Sequence, residues 1–218
     1  NALWLVVKAM KGMIRYDKEN AISVMVALYS AILTKHLKEQ VIGEPKNSKS
    51  DDEVEHLIKS LGKLQMSDGG FCWYKGMSSS IYITAEILMH LSRLSAMVSL
   101  PKKVIKMMDD AFSFTDKDMK KTVKELRKTE KEGFVQGMPF FILLQHLYSY
   151  AISGRTMTKN IRNDYNYLVK LMLRDVHKQT IYEKAMSAVI LDYAGMHDLA
   201  LENVESLRQY TEEYGNRG

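Results

Sequence analysis

Leu64-Gln65-Met66-Ser67-Asp68-Gly69-Gly70-Phe71-Cys72-Trp73-Tyr74-Lys75-Gly76 is the stretch on which the reading of this chain turns. It follows one amphipathic segment and precedes an apolar one introduced by Ser78-Ser79-Ser80. Asp68 can accept hydrogen bonds from the backbone of its own turn, and Gly69 and Gly70 permit positive φ. Phe71 and Trp73 stand two apart, so in an extended segment their rings point the same way. The pair is expected to plug the gap between two helices, with Tyr74 and Gly76 releasing the chain into the next one. A ligand-binding aromatic box is the competing reading of the same rings.

Outward from this loop the apolar residues fall at helical spacing, and no period-two runs occur. Helices are predicted over 2–15, 19–39, from Ser50 to Leu64, 80–97, 101–113, 116–131, 138–153, 158–176, 180–194 and 197–212. In the first, Leu3, Val6, Val7 and Met10 share a face; in the second, Ile22, Val26, Tyr29, Leu33 and Leu37 do. Gly43 to Lys49 reads as a polar loop. Ser50-Asp51-Asp52-Glu53 places a cap and acids where they meet the positive end of a helix dipole, a commoner use of such acids than metal binding. Pro101 suits a first helical turn, and Gly154 and Gly195 suit left-handed helix ends. The segments 21–38, 81–97, 138–152 and 181–195 are the most apolar, and charge-rich helices alternate with them. That alternation fits a two-layered ring of helical hairpins, inner helices buried on most sides and outer ones along one stripe. The expected fold class is therefore all-α, an α/α toroid in a partial or open ring, with residues 1–218 as one domain.

Composition narrows the function. Of 218 residues 46% are hydrophobic and 26% charged, as in ordinary globular proteins. No apolar run reaches the roughly 18 residues of a membrane span. The opening Asn1–Val7 lacks the marks of a signal peptide, and the chain is expected to be cut from a longer polypeptide. The net charge is a modest +5. The lysine-rich stretch from Lys117 to Lys131 is interleaved with Asp116, Asp118, Glu125, Glu130 and Glu132, which argues for a solvated helix face and against nucleic-acid binding. A single cysteine, Cys72, excludes an internal disulfide. The six histidines, His36, His56, His90, His146, His177 and His197, form no i,i+4 pair and are expected at helix surfaces or partly buried. No nucleophile elbow, phosphate loop or dinucleotide fingerprint is present. Fifteen methionines, among them Met107, Met108, Met172 and Met186, suit adaptable cores and contacts. No catalytic residue, metal or cofactor is assigned, and the chain is read as a non-enzyme.

The pattern Gln65-x-x-Asp68-Gly69-Gly70-Phe71-x-Trp73 resembles one found across the α/α-toroid superfamily: terpene cyclases, prenyltransferase β subunits, and the thioester domains of complement and alpha-2-macroglobulin proteins. Its longer form, with Tyr74-Lys75-Gly76-Met77, then Tyr82-Ile83-Thr84 and Leu88, is most similar to the bacterial alpha-2-macroglobulin version. Ile81 departs from that family's frequent arginine. Gln145 to Tyr150 and Ser206 to Thr211 add two weaker likenesses. The resemblance implies that Gln65, Asp68, Gly69, Gly70, Phe71, Trp73 and Gly76 form a structural motif loop. It also implies a domain of a periplasmic, extracellular or outer-membrane-associated protein that traps or inhibits proteases or serves in defence. Its partners would be other domains of the same polypeptide and target proteases, with no nucleic acid and no transmembrane segment. Thioester-bearing members carry Cys-x-Glu-Gln. Here Cys72 is followed by Trp73-Tyr74-Lys75, and Glu39-Gln40 has Leu37 at the cysteine position, so no thioester forms within these residues. A toroid enzyme fragment, cyclase- or lyase-like, would instead need converging carboxylates in a deep cavity. A peptide-binding helical scaffold would need a large exposed apolar groove.

Overall fold

The computed structural model describes residues 2–13, 17, 19–134, 137, 141–175 and 178–210. Among them the chain is all-α: α1 (Ala2–Met13), α2 (Ala21–His36), α3 (Ser48–Gly62), α4 (Ile81–Met97), α5 (Lys102–Lys131), α6 (Phe141–Ser153), α7 (Lys159–Arg174), α8 (Ile181–Tyr193) and α9 (His197–Arg208). No strand forms among the described residues, only two isolated antiparallel bridges. The arrangement of helical hairpins is of the α/α-toroid-like kind. The helices gather into two compact units, residues 1–115 and 116–218, and α5 carries the chain from one to the other.

In the first unit α2 packs against α1, α3 and α4. Asn20 starts α2, its side chain accepting from the backbone N–H groups of Ile22 and Ser23. The buried face of α2 is Val24, Met25, Leu28, Ala31 and Ile32. The stripe expected from the sequence, Ile22 to Leu37, is half-buried instead. In a helix apolar on every side, periodicity does not tell which face packs. α2 ends earlier than predicted because a π-helical turn, Leu37–Ile42, takes over and stops at Gly43 with φ +80°. In α1, Val7 and Met10 are buried while Val6 is exposed; the side chain of Leu3 lies outside the described residues. α3 starts three residues before expectation's first acid, at Ser48, with Asn47 as its cap. Asp51 pairs with Lys35 instead, and Val54, Leu57, Ile58, Leu61 and Leu64 are buried as the spacing predicts.

The two helices predicted at 101–113 and 116–131 are one helix of 30 residues. Across the gap expected at 114–115, Thr115 turns its hydroxyl to the carbonyls of Ala111 and Phe112 and the backbone stays helical. Pro101 stands just before this helix, its carbonyl accepting from Val104 and Ile105.

In the second unit α8 packs against α6 and α9, and α7 lies against α6 and α8. Thr180 and Glu183 form a reciprocal capping box at the start of α8. Gly154 and Gly195 take positive φ at the ends of α6 and α8, where predicted. Predicted helical residues 138–140, 176 and 211–212 lie outside the described residues.

Candidate functional site

The glycine-rich loop is held by a dense set of hydrogen bonds in the first unit. Its entry and exit are tied by backbone hydrogen bonds: Cys72 N–H to Leu64 O at 2.9 Å, Met66 N–H to Gly70 O at 2.8 Å, and Ser80 N–H to Phe71 O at 2.9 Å. Asp68 Oδ1 accepts from the Gly70 N–H at 3.0 Å and from the Ser79 hydroxyl at 2.7 Å. Gln65 Nε2 donates both to Gly69 O at 3.0 Å and to Met107 O at 2.9 Å, joining the loop to α5. Gly69 has φ +93°, and a Cβ built there would lie 2.2 Å from the Asp110 carbonyl oxygen. At Gly70 a Cβ would stand 2.7 Å from Ser79 Cβ and 2.9 Å from the Phe114 ring. The two glycines are therefore required for different reasons. Gly69 needs both the left-handed backbone and the close approach to α5; Gly70 needs the close approach alone.

Phe71 is fully buried, and its N–H donates to Thr84 Oγ1 at 2.8 Å; that hydroxyl in turn donates to Ser80 O at 2.7 Å. The expected pairing of Phe71 with Trp73 does not occur. Trp73 is 46% exposed and stacks on Tyr74, while the residue buried beside Phe71 is Cys72, whose thiol donates to Leu64 O at 3.2 Å. The backbone between the two rings is pinned twice, by Cys72 N–H to Leu64 O and by Ala21 N–H to Trp73 O, and does not run straight enough to keep them on one side. Gly76 is a turn position with φ +90° and open space around it.

The second unit holds a polar cluster that the sequence did not announce. Asp116 on α5 accepts from the Tyr150 hydroxyl at 3.0 Å to each carboxylate oxygen, and its Oδ1 lies 3.1 Å from His146 Nε2. His146 and Tyr150 are buried, which corrects the expectation that each histidine sits at a surface or is partly buried. His146 and Tyr150 are one turn apart on α6, whereas Asp116 comes from a separate helix, so no local pattern links the three. Burial, then the Asp116 charge, pushes the Tyr150 hydroxyl far above its ordinary pKa, which keeps it protonated as a donor. Nearby, Glu130 accepts from Arg174 and from Tyr167 at 2.9 Å. Burial and then the Glu130 bond push Tyr167 up to about 12. His56 and His197 are exposed, His36 and His90 half-buried, and His177 lies outside the described residues. Among the described residues no three His, Cys, Asp or Glu side chains gather as metal ligands. The Asp116 cluster ties α5 to α6, and the Glu130 cluster ties α5 to α7.

No protein-family model matches the sequence, and no curated protein matches it. Solved structures do match in fold. The native conformation of E. coli alpha-2-macroglobulin matches over 97% of this chain at a TM-score of 0.58 and 13% identity. The crystal structure of native alpha-2-macroglobulin from E. coli, from domain MG7 to the C-terminus, matches over 97% at a TM-score of 0.57 and 15% identity. The chain has an alpha-2-macroglobulin-like fold. It spans 13% of the first E. coli chain and 32% of the second. Within this alpha-2-macroglobulin-like fold, no helix among the described residues is long and apolar enough to cross a membrane.

Proposed function

We propose that this chain is a non-catalytic, thioester-domain-like part of an alpha-2-macroglobulin-like protein of the periplasm or cell exterior, and that the whole protein traps or inhibits proteases. The likeness in fold to E. coli alpha-2-macroglobulin over 97% of the chain is the observation that carries this reading. The chain contributes packing surfaces to its neighbours in the polypeptide and forms no thioester within itself, because the sequence holds no Cys-x-Glu-Gln within it. The test uses the natural protein that contains this chain. It is incubated with trypsin, and hydrolysis of a small chromogenic peptide is compared with hydrolysis of casein. Trapping leaves the small substrate cleaved and protects casein; equal cleavage of both in its presence sinks the proposal. Methylamine treatment with intact mass and thiol counts then separates covalent from steric capture. An adduct with one released thiol reports a thioester elsewhere in the protein, and no adduct reports steric trapping.

A further inference from the structure

The π-helical turn after α2 opens a second site in the first unit, unrelated to the glycine-rich loop. A cavity of about 390 Å³ lies beside it, with Ile32, Val54, Val98 and Pro101 as its apolar wall and Lys35, His36, Glu39, Gln40 and Ser99 as its polar one. That volume lies in the range of small-molecule sites. Three observations give the cavity a sign. Glu39 Oε1 is shielded from solvent and meets no hydrogen-bond partner among the described residues. Glu39 sits in the last turns of a helical run, where the carbonyl ends of the backbone already favour a cation and disfavour a carboxylate. The two nearby lysines are engaged elsewhere, Lys35 with Asp51 and Lys38 with Glu44 Oε2 at 3.2 Å. A shielded carboxylate oxygen without a hydrogen-bond partner is costly to keep. The chain keeps it in a π-helical turn, a rare conformation that is frequent at functional sites.

We propose that this cavity binds an alkylammonium group, its methylene stem against Ile32, Val54, Val98 and Pro101 and its ammonium on Glu39. A single carboxylate facing an apolar wall, with the Lys35 ammonium already held by Asp51, suits an organic cation. A divalent metal wants several oxygen ligands, and no such group gathers among the described residues. The Gln40 amide oxygen, also at the wall, offers a further acceptor for ammonium protons. The inference is independent of the protease-trapping reading.

The 218-residue chain is titrated calorimetrically with n-pentylamine at pH 7, and with n-pentanol as the neutral match in length. The amine binds at least about tenfold tighter than the alcohol, as a charge-assisted hydrogen bond requires. Glu39→Gln removes that preference while the circular dichroism spectrum and melting temperature hold. Ser99→Trp, at an exposed position on the cavity wall, weakens both ligands. Equal binding of amine and alcohol, no binding of the amine below 10 mM, or an unchanged preference in Glu39→Gln each overturns the proposal. Nα-acetyl-lysinamide and 1,5-diaminopentane separate the sources. Binding of the first identifies a lysine side chain, and binding of the diamine alone identifies a free polyamine.

Discussion

Replacing Gly69 by alanine puts a methyl group 2.2 Å from the Asp110 carbonyl oxygen and asks an L-residue to hold φ +93°. Backbone cannot step aside as a side-chain end does, so helix and loop must part. Gly69→Ala is expected to cost about 3 kcal/mol or more, and Gly70→Ala about 1–3, because Gly70 faces side-chain atoms of Ser79 and Phe114 and not a backbone carbonyl. Urea melts of the two variants check both the size and the order. Glu130 makes a charge prediction at the same scale. Hydrogen bonds from Arg174, then from Tyr167, hold its carboxyl below the ordinary 4.5. A depressed carboxyl contributes stability above its unfolded pKa, and that contribution fades as pH falls through the folded one. Glu130→Gln is thus expected to lower the melting temperature at pH 7 and to flatten its decline below about pH 4.5. Parallel melting curves for the two proteins from pH 7 to pH 3 would refute the assignment.

At the scale of the element, α5 shows where sequence reading fails and why. Its buried edge, Met119, Val123 and Leu126, was legible from spacing, as was the core stripe of α3. Its continuity was not. Ser113 and Thr115 look like helix-stopping residues when only local chemistry is visible, but Ser113 bonds back to Asp109 O and Thr115 to Ala111 O and Phe112 O. The same limit applies to α2, whose packed face is undecidable when every face is apolar. Within the glycine-rich loop, Asp68, Gly69 and Gly70 could be read from turn chemistry alone. The fate of Trp73 depended on backbone bonds to Leu64 and Ala21, which no local pattern records. If α5 is one helix, proline at 115 removes the N–H bond to Ala111 and drives its ring into that turn. Thr115→Pro should then lose about 3 kcal/mol or more with a drop in helical ellipticity, whereas a break at 113–116 would leave both nearly unchanged. Thr180→Ala, which removes the capping box of α8, should lose about 1 kcal/mol.

Across the molecule, each unit buries its own apolar core: Leu28, Leu57, Leu61, Ile87 and Leu88 in the first, Leu147, Leu168, Leu171 and Ile190 in the second. Leu61 and Leu168 are both fully buried, so truncating either leaves a cavity its neighbours only partly fill. Leu61→Ala and Leu168→Ala should each cost about 2–5 kcal/mol. Costs at independent sites add to within about 0.5 kcal/mol, and sites that share a structural element depart from additivity. α5 is the element shared here, because residues 102–115 belong to one unit and 116–131 to the other. A helix unfolded at one end frays readily along its length, so the loss of one core should weaken the hold on α5 from that side. The double variant is therefore expected to unfold in a single urea transition, at a cost that departs from the sum of the single variants by more than about 0.5 kcal/mol. Two separate transitions, each shifted only by its own substitution, would show that the units unfold independently and that α5 transmits nothing between them.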